Sequence, residues 1–175
     1  MIKKILLFIC TLMVTTTCYA YKETIDGFRG IPWGASLEEV KNSGVFKNEF
    51  EEMKSFTPGE LICDVKLINP YLCGVRFSET ATIGFIDDKF SCIMMYYGEN
   101  PDPWSSYYQL VNEIANIWGP AYEKKDTVNE KESMWILGNN VLSVTSNEFP
   151  YGREDVLSIA AGRYLEDSTA RGKGF

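Results

Sequence analysis

Between residues 104 and 118 the apolar side chains recur with the spacing of a helix. Trp104, Tyr107, Tyr108, Val111, Ile114, Ala115 and Trp118 make one continuous stripe at steps of three and four residues. Asp102 is a good N-cap, Pro103 sits where a first turn tolerates proline, and Gly119-Pro120 ends the run. A shorter helix is predicted at Ser36-Leu37-Glu38-Glu39, which has the pattern of a capping box. Leu37 and Val40 give it a narrow apolar edge, and Gly44 stops it.

Most of the remaining pattern is that of strands. Residues 61–67 and 71–77 flank an Asn69-Pro70 turn signal. Residues 80–86 and 90–97 flank the polar break Asp87-Asp88-Lys89, the clearest hairpin in the chain. Residues 133–137, 141–145 and 156–161 follow, the first two separated by Gly138-Asn139-Asn140. Residues 45–60 mix charge, glycine and proline without a period and read as loop. The order helix, strands, helix, strands predicts an α+β domain, an antiparallel sheet with two helices packed on one face. Its halves read as two tandem helix-plus-strands units, with Trp33 opening one helix and Trp104 the other.

The first twenty residues carry a different pattern. Lys3 and Lys4 precede an apolar run over residues 5–14, and Cys18-Tyr19-Ala20 puts small residues where a signal peptidase reads them. A cleavable secretory signal is predicted over residues 1–20, cut between Ala20 and Tyr21. The run falls short of the roughly 20 apolar residues of a membrane span, and no other segment is long and apolar enough. Thr17 stands before Cys18 where lipid-anchored proteins favour Gly, Ala or Ser, so a lipid anchor at Cys18 is the disfavoured alternative. The chain then divides into the signal, a single domain over residues 21–166 and a small, polar, flexible tail over residues 167–175. The expected compartment is the periplasm or the exterior.

Charge and composition narrow the function. The chain has 17 Lys and Arg against 24 Asp and Glu; without its two signal lysines it has 15 against 24, a net charge of −9. That balance argues against nucleic acid or an anionic membrane as partner and suits solubility or a basic partner. There is no histidine. Ser-His-Asp and Cys-His chemistry lose their usual base, and zinc, copper and haem sites lose their commonest ligand. No cofactor or metal is predicted.

The segment Phe28-Arg29-Gly30-Ile31-Pro32-Trp33-Gly34-Ala35-Ser36-Leu37-Glu38-Glu39-Val40 resembles the opening of a group of uncharacterised exported bacterial envelope proteins. Trp118-Gly119-Pro120 is similar to the end of their second helix. In outline they resemble small helix-on-sheet modules of the beta-lactamase-inhibitor-protein and outer-membrane-assembly-lipoprotein type. The resemblance implies export and interaction, and brings no catalytic residue with it.

Three resources for chemistry remain. Cys63, Cys73 and Cys92 lie in the mature chain; Cys63 and Cys73 flank the Asn69-Pro70 turn and are the favoured disulfide, the other two pairings staying open. Closing that loop contributes roughly 2.5–3 kcal/mol in the chain-entropy account, while Cys92 in its apolar strand reads as a buried thiol. Among the acids, Asp87-Asp88 reads as turn chemistry and Glu38-Glu39 as helix-start electrostatics. Glu49, Glu51 and Glu52 read as a solvated run, and a pairing with Glu60 or Asp64 in a cleft stays open. Lastly, Met94-Met95-Tyr96-Tyr97 places alternate side chains on opposite faces of a sheet. If helices cover one face, the other exposes Met or Tyr that suits a protein partner or glycan stacking, and these four are the candidate partner-binding residues; the plainer alternative is that this face is covered too, or that the aromatics only support the strands. The reading favoured is a non-enzymatic envelope module that binds another protein. The alternative is a carboxylate-dependent enzyme or binding protein for cell-wall glycan or peptide.

Overall fold

The computed structural model describes residues 24–55, 57–98 and 104–162. The predicted signal with its Ala20–Tyr21 cut, Cys18, the Asp102-Pro103 cap and the polar tail lie outside the described residues. Among the described residues eleven strands and two helices follow one another: β1 (Gly27–Phe28), β2 (Ile31–Pro32), α1 (Leu37–Lys41), β3 (Phe46–Met53), β4 (Glu60–Leu67), β5 (Tyr71–Leu72), β6 (Val75–Ile86), β7 (Lys89–Tyr97), α2 (Ser105–Trp118), β8 (Glu123–Asp126), β9 (Glu130–Leu137), β10 (Asn140–Phe149) and β11 (Gly152–Ala161).

Antiparallel sheet dominates this architecture more than the predicted α+β balance implied. One sheet runs β3-β4-β6-β7-β11-β10-β9-β8, with β5 pairing β6 off that path. The last strands of the two meanders meet in the middle, where Leu157 stands opposite Met95 and Ile159 opposite Ile93. Alternate residues of these strands turn to one side and pack there, among them Val65, Ile83, Met95, Leu157 and Val144. Val40 of α1 and Leu110, Val111 and Ile114 of α2 belong to the same buried cluster. No helix among the described residues is long and apolar enough to cross a membrane.

Local chemistry explains the short elements. Ser36 and Glu39 form the predicted capping box: the Ser36 amide donates to Oε2 of Glu39 at 2.7 Å, and the Glu39 amide donates back to Oγ of Ser36. The helix it starts has five residues and buries only Val40, so the cap and not an apolar face defines it. Asp87 and Asp88 take φ of 48° and 61° in a two-residue turn that sets Ile86 opposite Lys89, a conformation Asp tolerates well. The Arg29-Gly30 turn of the β1–β2 hairpin has the same form, with φ of 50° and 85°. Behind it Trp33 lies 5.0 Å from the Phe90 ring, and its indole N–H donates to the Ile25 carbonyl.

Three expectations need correction. Residues 46–53, read as loop, form edge strand β3, in which Phe46 is buried, Phe50 is half-buried and every other side chain is exposed. Its charges are what an edge needs to discourage a further strand from pairing, and they hide the apolar alternation. Residues 71–77 and 80–86 are not two strands but the short β5 and one long β6, whose register against β7 shifts between Phe77 and Ala81. Cys63, Cys73 and Cys92 are all free. The Asn69-Pro70 turn does not fold residues 61–67 onto 71–77; β4 pairs with the far end of β6, setting Cys63 opposite Ile83, while Cys73 sits in the turn before Val75. Eight strand residues at about 3.3 Å each separate those levels, well beyond the roughly 7 Å limit between Cα atoms that a disulfide can bridge.

Candidate functional site

Strand β7 divides the four candidate contact residues between two environments. Met95 and Tyr97 are 0% and 6% exposed and belong to the buried cluster. Tyr97 packs edge-on against Phe77 and donates its hydroxyl proton to the Thr145 carbonyl at 2.8 Å. Burial, with the Asp155 carboxylate beside it, pushes the Tyr97 phenol well above its ordinary range. Neither side chain is available to a partner.

Met94 and Tyr96 point the other way and are half-exposed. Register carries that face across the sheet: Met94 lies between Thr82 and Ser158, Tyr96 beside Val156, and Ser143 between Ser158 and Met134. Ser143 and Ser158 share a hydrogen bond at 2.7 Å. Val141 stands opposite Ile136, which is 50% exposed. The centre of the face is thus largely apolar, and the hydroxyls on it, those of Thr82, Ser143, Thr145 and Ser158, are each engaged in a hydrogen bond, a composition suited to contact.

Its ends are acidic. Alternation places Glu51 and Asp64, opposite each other on β3 and β4, at one end. Glu123, Glu130, Glu132 and Glu154 stand at the other. The cations there are engaged: Lys66 pairs with Glu49 at 2.6 Å and Lys125 with Glu130 at 2.5 Å. These pairs are exposed and contribute little stability, but they leave the rim with an excess of negative charge. The Glu51–Asp64 opposition is also an adjacent pair of carboxylates of the kind that a glycan-cleaving reading points to. Oδ1 of Asp64 accepts from the Thr82 hydroxyl at 2.7 Å.

Around the start of α2, charge is used differently. Arg153 donates to Asp155 at 2.8 Å and lies 4.6 Å from the Trp104 ring. The Asp155 side chain is 2% exposed and also accepts from the Ser146 hydroxyl. Lys131 pairs with Asp126, which holds its ammonium above the ordinary value, and sits over the rings of Trp104 and Tyr108. The Tyr107 hydroxyl meets that of Ser133 at 2.8 Å. Two cations and two anions satisfy one another around the start of α2, which pins it to β9, β10 and β11.

This cluster was not read from the sequence, because its members are scattered over five elements and the turn before α2. The buried face of the helix also differs from the predicted stripe. The side chains buried are Ser106, Tyr107, Leu110, Val111 and Ile114, whereas Tyr108 of the predicted stripe is 45% exposed. Leu110, absent from that stripe, is fully buried.

The remaining candidates are quiet chemically. Burial raises the Cys63 thiol, with the Glu52 carboxylate adding to it, and burial likewise raises Cys73, helped by Glu113. Both therefore stay protonated and unreactive at neutral pH. Among the described residues no group of three Cys, Asp or Glu is placed to hold a metal ion. Comparison with known proteins finds no matching family, no matching curated protein and no matching solved structure.

Proposed function

We propose that the chain is an exported envelope protein, periplasmic or secreted, that acts without catalysis by binding another protein through the Met94 face of its sheet. In this reading the chain is two tandem helix-plus-strands units whose helices lie on the same side, leaving the other side for contact. The observation that carries it is the division of β7, with Met95 and Tyr97 buried in the core and Met94 and Tyr96 left half-exposed among Val156, Met134 and Ile136. The acidic rim supports a partner whose contact surface is basic around an apolar centre. The twenty-residue leader pattern and the resemblance to envelope proteins support export. Charged edge strands at β3 and β8 argue that the partner docks on the face and does not extend the sheet.

The test is capture from envelope extracts with two variants in parallel. Met94→Glu/Tyr96→Glu should lose a partner that Tyr151→Glu, altered at an exposed turn, retains, and raised salt should weaken that capture. A partner held equally by both variants would place the contact elsewhere. The carboxylate-enzyme alternative has the opposed Glu51 and Asp64 in its favour. It predicts a glycan-cleaving or peptide-cleaving activity that disappears in Asp64→Asn.

A further inference from the structure

On the helix side of the sheet, between the β1–β2 hairpin, the second half of α2 and strands β10 and β11, lies a cavity of about 460 Å³. That falls in the usual range of about 300–1,000 Å³ for small-ligand sites. Its body is aliphatic, built by Ile114, Leu142 and Leu157 among others. Two donors break that lining. Trp118 lines the cavity, and its indole N–H is buried without a hydrogen-bond partner. A buried donor left unpaired costs free energy that an acceptor on a bound molecule recovers. Arg29 also lines the cavity; its guanidinium donates to the carbonyls of Asn69 and Tyr71, the latter at 2.7 Å. A guanidinium carries five N–H donors, so these two bonds leave others to offer.

The backbone at Arg29 adds a separate observation. The first position of this type of turn favours Gly, Asn or Asp, because φ is positive. Arg29 occupies it at φ 50°. A long cationic side chain in a disfavoured conformation on the lining of a cavity is a local conflict that points to a functional role.

We propose that this cavity binds a small apolar monocarboxylate, its hydrocarbon body among the aliphatic side chains and its carboxylate accepting from Arg29 and Trp118. Asp26 also lines the cavity and is the group that would favour the opposite charge, so the head group is the discriminating variable. The lining residues Leu142 and Leu157 belong to the buried face and not to that of Met94. This site is therefore independent of the protein-contact surface, and neither proposal falls with the other.

Decanoate and decylamine, matched in chain and opposite in charge, are titrated calorimetrically into the purified protein at neutral pH. Saturable one-to-one binding of decanoate is expected, about tenfold or more tighter than decylamine. Trp118→Phe, which keeps an aromatic ring of smaller size and removes the donor, should weaken decanoate about fivefold, and Arg29→Gln about tenfold. Arg29→Gln keeps the test decisive should Trp118→Phe fail to fold. Equal affinity for the two head groups, no saturable decanoate binding, or full affinity in Arg29→Gln would overturn the proposal.

Discussion

The two faces of strand β7 are made of nearly the same residues and meet opposite fates. Met95 and Tyr97 lie in the core, whereas Met94 and Tyr96, one position away in each case, lie half-exposed on the other side. The same contrast holds for charge. On the buried side Asp155 and Arg153 are locked to each other, to Ser146 and to the Trp104 ring. On the other side Glu51 faces Asp64 across a ladder, and like charges so placed repel. On the buried side, the charges gathered around the start of α2 pair with one another. In the proposed reading, a face that tolerates opposed carboxylates at its end and half-exposed Met and Tyr at its centre is the one left for contact.

Substitutions on the two faces measure how deep that division goes. Removing the Asp155 carboxylate should have the largest effect. Asp155→Ala strands Arg153 beside a buried surface and should cost about 3–5 kcal/mol in urea unfolding; a loss under about 1 kcal/mol would mean that water reaches the pair and the cluster pins nothing. Leu110→Ala comes next, at about 2–5 kcal/mol, because Leu110 is fully buried under α2. Its counterpart Met94→Ala should cost under about 1.5 kcal/mol. Equal losses from the Leu110 and Met94 variants would show that both faces carry the core, and would remove the ground for a contact surface.

The capping box provides the smallest effect and a pH signature. Hydrogen bonds from the Ser36 amide and hydroxyl hold the Glu39 carboxyl below its ordinary 4.5. A group whose value is lowered on folding stabilises the folded state when ionised. That stabilisation is whole above the unfolded value and is lost as pH falls through the lower folded one. Ser36→Ala should cost about 1 kcal/mol at neutral pH and flatten the acid side of the stability curve. An acid side unchanged in the variant would mean that the pair does not titrate with folding. The site at α1 is exposed, so this variant leaves both faces of the sheet as they are.

Much of the fold was legible where the cause is local. Ser36 and Glu39 announced their helix start, and Asp87-Asp88 the hairpin, because the groups that interact are neighbours in the chain. Strand β3 was missed for a reason that is equally physical. Edge strands carry charge for protection, so Lys47, Glu49, Glu51 and Glu52 erase the period that betrays an inner strand. The buried face of α2 was read about one side chain off. Trp104 is drawn to Lys131 and Arg153, twenty-seven and forty-nine positions along the chain, and no helical period records that pull. The cysteine pairing failed in the same way, since a turn signal at Asn69-Pro70 says nothing about which strand β4 will join.

What the sequence determined by itself, then, was alternation: Met94 and Tyr96 on one side of a strand, Met95 and Tyr97 on the other. Alternation is symmetric between the two sides, and either assignment satisfies it. Only the tertiary structure decided which side became core, because that choice rests on where Leu110 and Ile114 of α2 land and on β11 joining β7. Those contacts link residues far apart in the chain, and their energy exists only once the sheet is assembled. The unpaired Trp118 donor and the Arg29 guanidinium around one cavity belong to the same class. Each was visible as a residue, and their meeting is a product of the fold.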